Sequence, residues 1–347
     1  MKAMLKGALI GCGYIANYQM EAWKKIPEVD MVAVCDLVEE KAREMAAKFG
    51  VGQTYIDYRK LLDETAPDFV DIATRPAAHF ELTRAAAERG IAVLCQKPLA
   101  SSLDEAREMV ETCQKHSVSF MVNENWRFRP WFREIRRLLD EGEVGSPYFA
   151  RFIRRNQRTL PEPRFENQPY FIEMERFVIY ESCIHYIDTM RFLLGEVESV
   201  YCQIKKIGPK QAGEDFAVII LNFKPNEAGP RGQGQRPLGL VDSNWCSLPE
   251  YEYSLADDFR LEGSEGTMGV AEDGIVQVLR NDGQKYSKET LDAPAGYKES
   301  FRAAQTHFAH SLLQGTEFET SGRDNLKTLS SVFAAYESAE KKQLISL

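Results

Sequence analysis

One stretch of the sequence places three ionisable side chains on a predicted helix. Glu181, His185 and Asp188 stand at i, i+4 and i+7, so one helix face presents all three. An imidazole titrates near neutral pH and can accept the proton of a substrate hydroxyl as hydride leaves. A carboxylate one turn away can orient the imidazole or bind a substrate hydroxyl. A structural histidine satisfied by Glu181 is the competing interpretation, and Tyr180 or Tyr186 is a rival base.

The same helix face gives thin support for a metal site. It offers one histidine and two carboxylates, with no second His or Cys nearby. The seven cysteines are scattered along the chain and never form a CxxC pair. We therefore predict no metal, and we expect free thiols in a reducing compartment, which is typical of a cytoplasmic protein.

A glycine-rich turn lies between a predicted strand and a predicted helix. Residues 11–16 read GCGYIA, in which Gly11 allows the tight turn and Gly13 lets the backbone approach a pyrophosphate. The helix that follows supplies amide donors to phosphates. Asp36 ends the next predicted strand, where a carboxylate accepts ribose hydroxyls and repels a 2′-phosphate. The pattern predicts an NAD site; a turn or capping role for Asp36 is the alternative.

Two further loops follow predicted strands. Thr74-Arg75-Pro76 follows the strand 69–73, and Gln96-Lys97-Pro98 follows the strand 91–95. Ligands of open parallel sheets bind outside the carboxyl ends of the strands, so both loops are expected to face the cofactor. The ammonium group of Lys97 can there bind a substrate oxygen and stabilise alkoxide character during hydride transfer. A solvated loop lysine is the alternative.

Arginines are concentrated between residues 127 and 164. Ten arginines, no lysine and five acidic residues lie there, in a chain with a net charge of −9. Guanidinium groups suit carboxylates and dense hydroxyls, and we predict substrate contacts for Arg127, Arg154 and Arg155. An alternative is that Arg154, Arg155 or Arg158 contacts an adjacent subunit. The acidic chain as a whole lacks the field that nucleic acid or an anionic membrane would attract.

The first third of the chain alternates predicted strands and helices, which is typical of βαβ units and a parallel sheet. The apolar runs lie at 6–11, 31–35, 69–73, 91–95 and 118–122, and the helical patterns at 16–25, 39–49, 58–64, 78–89 and 103–115. This pattern predicts an α/β Rossmann domain over residues 1–123.

After about residue 145, strand-like runs follow one another, which predicts a large, mostly antiparallel open sheet. The runs lie at 148–153, 197–207, 216–223, 238–245, 259–263 and 275–279, with helices at 180–194, 299–313 and 323–341 and an exposed hairpin from Pro225 to Pro237. We predict an α+β domain over residues 124–347, with the option that the closing helix packs back on the first domain. No apolar run approaches about 18 residues, so we expect no membrane span.

Together these motifs resemble the family of glucose–fructose oxidoreductase, inositol dehydrogenase and their relatives (Gfo/Idh/MocA). The likeness runs nearly end to end and includes further elements at 125–130 (NWRFRP), 181–185 (ESCIH), 262–267 (EGSEGT) and 336–339 (YESA). It implies that Lys97 is catalytic, that His185 is the general acid/base and that Glu181 is its substrate-side companion. The motif and the resemblance assign NAD contacts to Gly11, Gly13, Tyr14, Ile15, Asp36, Thr74, Arg75, Pro76, His79, Gln96 and Lys97.

Two residues depart from the family pattern. Gln96 stands where the family usually has Glu, so it can hydrogen-bond a nicotinamide ribose but lends no negative charge to Lys97. Glu181 stands where sugar dehydrogenases of the family typically carry Asp.

The resemblance implies an NAD(H)-dependent dehydrogenase acting on a sugar or polyol carbon, for instance an aldose oxidised to a lactone or a pentose such as apiose. Alternatives are a sugar acid or sugar nucleotide as substrate, or a non-catalytic NAD-binding regulator with the same fold. Relatives pair through the open face of the second sheet, so we expect a homodimer or homotetramer.

Overall fold

The computed structural model describes residues 4–225, 235–247, 257–270 and 273–347. The chain forms two compact units. The first comprises Met1–Asn125 and Lys298–Leu326, and the second comprises Trp126–Tyr297 and Lys327–Leu347. The division into functional domains at residue 123 stays a prediction. Most of the hairpin predicted from Pro225 to Pro237 lies outside the described residues.

The first unit is built on a six-stranded parallel sheet of strand order β3-β2-β1-β4-β5-β6. Its strands are β1 (Leu5–Ile10), β2 (Val29–Cys35), β3 (Gln53–Tyr55), β4 (Phe69–Ile72), β5 (Ala92–Gln96) and β6 (Phe120–Asn123). Every residue of β4, β5 and β6 is buried, as expected for a parallel sheet covered on both faces. The strand order reverses between β1 and β4, which is where such sheets bind ligands. The predicted Rossmann fold is confirmed.

The helices of the first unit agree with the periodic patterns to within a few residues. They are α1 (Tyr14–Trp23), α2 (Glu39–Phe49), α3 (Tyr58–Thr65), α4 (His79–Ala87) and α5 (Leu103–Lys115). Gly50, at φ +67°, ends α2 in the left-handed conformation that glycine adopts without strain. The side chain of Ser102 caps α5 by accepting a hydrogen bond from the Glu105 amide at 3.2 Å.

The first unit is completed by a segment from late in the chain. This segment, Lys298–Leu326, contains most of helix α8 (Ala293–Gln314) and the start of helix α9 (Gly322–Lys341). The ring of Phe308 packs on Phe69 of β4 with the ring centroids 5.2 Å apart, and Phe301 stacks on Tyr18 at 5.8 Å. The core of the nucleotide-binding sheet therefore includes rings that the chain supplies more than 200 residues after β4.

The second unit contains a nine-stranded sheet of order β14-β13-β12-β11-β7-β10-β9-β8-β15. Its strands are β7 (Pro147–Arg155), β8 (Val197–Lys205), β9 (Phe216–Phe223), β10 (Leu238–Asn244), β11 (Asp257–Gly263), β12 (Gly266–Val270), β13 (Ile275–Arg280), β14 (Lys285–Glu289) and β15 (Ile345–Ser346). Strands β7 and β10 are parallel, and the other described pairs are antiparallel. The predicted mostly antiparallel sheet is confirmed.

Helices cover one face of this sheet. They include α6 (Pro130–Asp140), a π-helical turn (Ile179–Cys183) and α7 (Ile184–Leu194). The ring of Phe152 on β7 stacks on Tyr186 of α7 with centroids 4.9 Å apart, which identifies the α7 side of the strand. Of the described helices, none has the length and apolarity that crossing a membrane requires.

Candidate active site

The glycine turn after β1 has the geometry of a phosphate-binding loop. Gly11 has φ +97°, and a Cβ built on it would lie 2.7 Å from the Ala73 carbonyl oxygen, so only glycine fits there. A Cβ on Gly13 would meet nothing within 4 Å, so the backbone at the start of α1 is open to a ligand. Ala16, fully buried, lets α1 pack closely on the sheet.

Asp36 lies directly beside this turn. Its carboxylate accepts a hydrogen bond from the Cys12 amide at 2.8 Å and another from the Val38 amide at 2.9 Å. Each carboxylate oxygen keeps a lone pair that can accept a ribose hydroxyl. Burial, assisted by the Asp36 charge, raises the pKa of the Cys12 thiol to about 12, so this thiol stays protonated in the turn.

His79 is buried between two loops of the predicted cofactor site. Its Nδ1 lies 3.1 Å from the Leu99 carbonyl oxygen and its Nε2 lies 3.1 Å from the Thr74 carbonyl oxygen. Burial lowers the pKa of His79, so the neutral ring can donate to only one of the two oxygens. The structure thus places His79 as a link between the loops that follow β4 and β5, whereas the sequence predicted a cofactor contact.

Two side-chain amides stand at the carboxyl ends of neighbouring strands. Gln96 of β5 and Asn123 of β6 are register partners, and both are buried. Gln96 Oε1 accepts from the Lys97 amide at 2.9 Å. Gln96 Nε2 and both polar atoms of Asn123 have no hydrogen-bond partner among the residues that the structure describes. Such buried groups are costly unless a ligand or water satisfies them.

These features fit NAD. The open Gly13 backbone would receive the pyrophosphate, Asp36 would hold the adenosine ribose, and the free amide atoms of Gln96 and Asn123 would serve polar atoms at the nicotinamide end. Sequence reasoning missed Asn123. Its sequence signal was a polar residue directly after the apolar run 118–122. Lys97, half-buried, begins the loop after β5.

A π-helical turn carries Glu181 and leads into α7, which carries His185. Insertions of this kind in α-helices are frequent at functional sites. The start of the turn is fixed by the buried carboxylate of Glu214, which accepts from the amides of Phe177 and Ile179 at 3.1 and 3.0 Å. The Tyr336 hydroxyl donates to the same carboxylate at 2.7 Å. The helix entry is thereby held by one buried carboxyl group, whose pKa is raised by its burial.

His185 is 7% exposed and lies against an aromatic ring. Its imidazole is nearly parallel to the indole of Trp126, with an interplanar angle of 13° and ring centroids 4.9 Å apart. Its backbone carbonyl accepts from the Thr189 hydroxyl at 2.8 Å. The rival base Tyr186 has its hydroxyl 3.2 Å from Ser182 Oγ, and its ring is 1% exposed in the aromatic core.

Asp188, on the same helix, is fully buried in an ion pair. It accepts from Arg127 Nε at 2.7 Å and from Arg127 Nη2 at 2.6 Å, and the Thr328 hydroxyl donates to it at 2.8 Å. A bidentate pair of this kind fixes both side chains. The guanidinium group of Arg127, predicted to bind substrate, therefore binds the helix that carries His185.

The other two predicted arginines point to opposite faces of β7. Alternation along the strand puts Arg154 on the side of Phe152, which is the α7 side. Arg155 lies on the other face and donates from Nη1 to Asp242 Oδ1 at 3.0 Å. Arg155 thus does not share a sheet face with His185. Among the described residues, no three His, Cys, Asp or Glu side chains are grouped to hold a metal ion.

The fold and the site define an oxidoreductase with an NAD-binding Rossmann unit, and comparison with known proteins agrees. The family model described as "Oxidoreductase family, NAD-binding Rossmann fold" matches residues 5–124, and the GFO/IDH/MocA C-terminal domain matches residues 132–268. The chain belongs to the Gfo/Idh/MocA family of NAD-dependent oxidoreductases. The predicted family, cofactor and reaction class are confirmed.

Relatives match along nearly the whole chain. A D-apiose dehydrogenase from Rhizobium rhizogenes is 33% identical over 99% of this chain and 97% of its own length. A D-apiose dehydrogenase from Paraburkholderia graminis is 34% identical over 99% of this chain and 89% of its own. An oxidoreductase from Agrobacterium radiobacter, crystallised with NAD+, L-tartaric acid and magnesium, has a TM-score of 0.88 at 33% identity and covers 99% of this chain and 98% of its own.

Proposed function

We propose that this protein oxidises a sugar or polyol carbon with NAD+, and that D-apiose or a closely related pentose is its substrate. The observation that carries the proposal is the identity of 33–34% to two D-apiose dehydrogenases over 99% of the chain. A match of this extent spans the nucleotide-binding turn and the helix with Glu181 and His185 alike. Both candidate catalytic residues, Lys97 and His185, are present.

In the proposed mechanism, His185 acts as the general base. Its imidazole accepts the hydroxyl proton of the substrate while the C–H bond on the same carbon breaks, so the C–O single bond becomes a carbonyl. Bound NAD+ supplies the acceptor for the hydride that leaves this carbon. The Lys97 ammonium stabilises the negative charge that develops on the substrate oxygen. For C1 of a cyclic aldose, the product is a lactone.

Glu181 is proposed to bind a second substrate hydroxyl or to orient the imidazole. Glu181 is half-buried and lies on the π-helical turn, four residues before His185. Arg154 is proposed as a further substrate contact because it lies on the α7 side of β7. The substrate contacts of Arg127 and Arg155 stay predictions; in the structure each guanidinium group binds a carboxylate of its own unit.

A substrate panel tests the proposal. Purified protein is mixed with NAD+ or NADP+ and with D-apiose, other aldopentoses, myo-inositol or L-tartrate, and NADH absorbance is followed. We expect turnover with NAD+ and a pentose, and its loss in Lys97→Ala. The exposed-lysine variant Lys115→Ala serves as the matched control. Turnover only with L-tartrate would favour a sugar acid, and NAD binding without turnover of any compound would favour a regulator.

We also propose that copies of the chain associate through the face of the nine-stranded sheet opposite α7, as a homodimer or homotetramer. That face carries half-buried apolar side chains on adjacent strands: Ile153 of β7, Val218 and Ile220 of β9, and Leu240 of β10. Sedimentation of wild type and of Ile220→Lys tests this, since the charge should dissociate the assembly.

A cytoplasmic location is proposed from the seven cysteines, all of which are free thiols.

A further inference from the structure

A column of aromatic rings leads from the sheet of the second unit to His185. Phe259 of β11 packs on Phe152 of β7 with centroids 4.7 Å apart, and Phe152 stacks on Tyr186 at 4.9 Å. Tyr186 meets the indole of Trp126 edge to face at 5.1 Å, and Trp126 stacks on the imidazole of His185. The last ring before His185 is therefore anchored through two strands of the sheet.

Trp126 is itself held from several sides. It is 7% exposed and begins the short 3₁₀ turn Trp126–Phe128. The Arg129 guanidinium group lies over its ring, with Cζ 3.5 Å from the ring centroid. The next residue, Arg127, makes the bidentate ion pair with Asp188. The 3₁₀ turn therefore contacts α7 at two places that lie almost one helical turn apart. Trp126 stacks on His185, and Arg127 forms an ion pair with Asp188.

We propose that Trp126 is a positioning residue that sets the plane of the His185 imidazole for proton transfer. This rests on the proposed role of His185. The lone pair that accepts a proton lies in the plane of the ring, so rotation about Cβ–Cγ turns it away from the substrate. A buried indole stacked within 13° of parallel blocks that rotation. The imidazole then meets the substrate already oriented.

The first measurement does not depend on enzymatic activity or on the folding of a Trp126 variant. Histidine ring signals are recorded by NMR in the wild-type protein, and those of His185 are assigned from their loss in His185→Asn. Stacking on indole should shift the His185 ring protons upfield of those of the exposed His116. Unshifted signals would overturn the proposal directly.

Kinetics of three variants then separates positioning from packing. In Trp126→Leu we expect kcat to fall by about 10- to 100-fold with KM nearly unchanged. Trp126→Phe keeps a ring that can stack on the imidazole, so it should retain most of the wild-type kcat. Trp245→Leu is the matched control: it also removes a buried tryptophan of the second unit, in the cluster with Phe171 and Phe177. It should lose thermal stability to a similar degree but keep kcat.

The outcomes distinguish this inference from the proposed function. If His185→Asn loses activity while Trp126→Leu keeps wild-type kcat, or if Trp126→Phe is as slow as Trp126→Leu, positioning by stacking is wrong and the role of His185 stands. If His185→Asn keeps full activity, the proposed role of His185 as general base is wrong and Trp126 has no catalytic group to position, while the proposed substrate and cofactor stand.

Discussion

At the scale of single residues, the equally buried carboxyl groups of Asp71 and Asp188 differ in the charge of the groups that donate hydrogen bonds to them. Asp71, in the centre of the parallel sheet, accepts hydrogen bonds from two neutral donors, Gln19 Nε2 at 2.6 Å and Trp23 Nε1 at 2.7 Å. Burial raises its pKa to about 7. Asp188 is equally buried but receives the guanidinium group of Arg127. Removing Arg127 would leave the buried Asp188 with Arg191, 3.9 Å away, as a remaining cation, whereas Asp71 can become neutral by binding a proton.

The raised pKa of Asp71 predicts that stability falls as pH rises. Between pH 4 and 7 the folded state holds a proton on Asp71 that the unfolded state has released, so rising pH favours unfolding. The loss is complete above pH 7 and amounts to about 2–4 kcal/mol. Asp71→Asn mimics the neutral form and should remove this slope, measured by urea unfolding at a series of pH values.

In Asp71→Asn, the asparagine amide can donate a hydrogen bond to Gln19 Oε1 once the side-chain amide of Gln19 rotates. Gln19 Oε1 has no partner among the described residues of the wild-type protein. The exposed variant Asp63→Asn is the control and should keep the slope assigned to Asp71. An unchanged slope in Asp71→Asn would show that other groups cause the pH dependence.

At the scale of elements, Glu214 determines how the helix with Glu181 and His185 begins. Its carboxylate accepts from two backbone amides and from the Tyr336 hydroxyl. Glu214→Ala leaves these buried donors unpaired and should destabilise the protein by about 1–3 kcal/mol. We expect kcat to fall as well, because the π-helical turn loses its anchor.

Tyr336→Phe is the matched control for this prediction. It removes one donor to the same carboxylate and the acceptor of the Tyr180 amide at 3.2 Å, but it leaves the contacts of Glu214 with Phe177 and Ile179. It should cost about 1–2 kcal/mol and lower kcat less than Glu214→Ala does. Thermal unfolding and steady-state kinetics check both variants. A Glu214→Ala protein with wild-type kcat would show that the anchored helix start is irrelevant to the reaction.

Sequence periodicity predicted the long elements and missed the short polar ones. The buried apolar runs of β4 and β5 stand out from their neighbours, so their existence and type followed directly. Strand β14 reads KYSKE and β12 reads GTMGV, which have few apolar residues to alternate. These strands form because a neighbouring strand offers hydrogen bonds, which local sequence does not encode.

The candidate site divides in the same way. Gly11, Asp36 and Gln96 could be found because their positions relative to predicted strands carry the chemistry. The π-helical turn at Glu181 could not, since a four-residue spacing looks the same in an unbroken α-helix. The stacking of Trp126 on His185 joins residues 59 positions apart and depends on tertiary packing alone.

At the scale of the whole molecule, the proposed reaction requires Lys97 and His185 to act on the same substrate oxygen. Residues that act as one unit give strongly non-additive losses. We expect Lys97→Ala and His185→Asn each to lower kcat by about 10²- to 10⁴-fold, and the double variant to be little slower than the worse single one. Turnover of the three variants with the best substrate of the panel is the measurement. Losses that simply multiply would indicate independent roles.

The late arrival of Lys298–Leu326 in the first unit bears on how the chain is made. When residue 125 leaves the ribosome, β1 to β6 have all been synthesised, but Phe301 and Phe308 have not. The part of the Phe69 ring that Phe308 covers therefore stays exposed until strands β7 to β14 have been translated. A nascent chain of this protein carries an unfinished nucleotide-binding half throughout synthesis of its large sheet, and this interval is when chaperones would have most to protect.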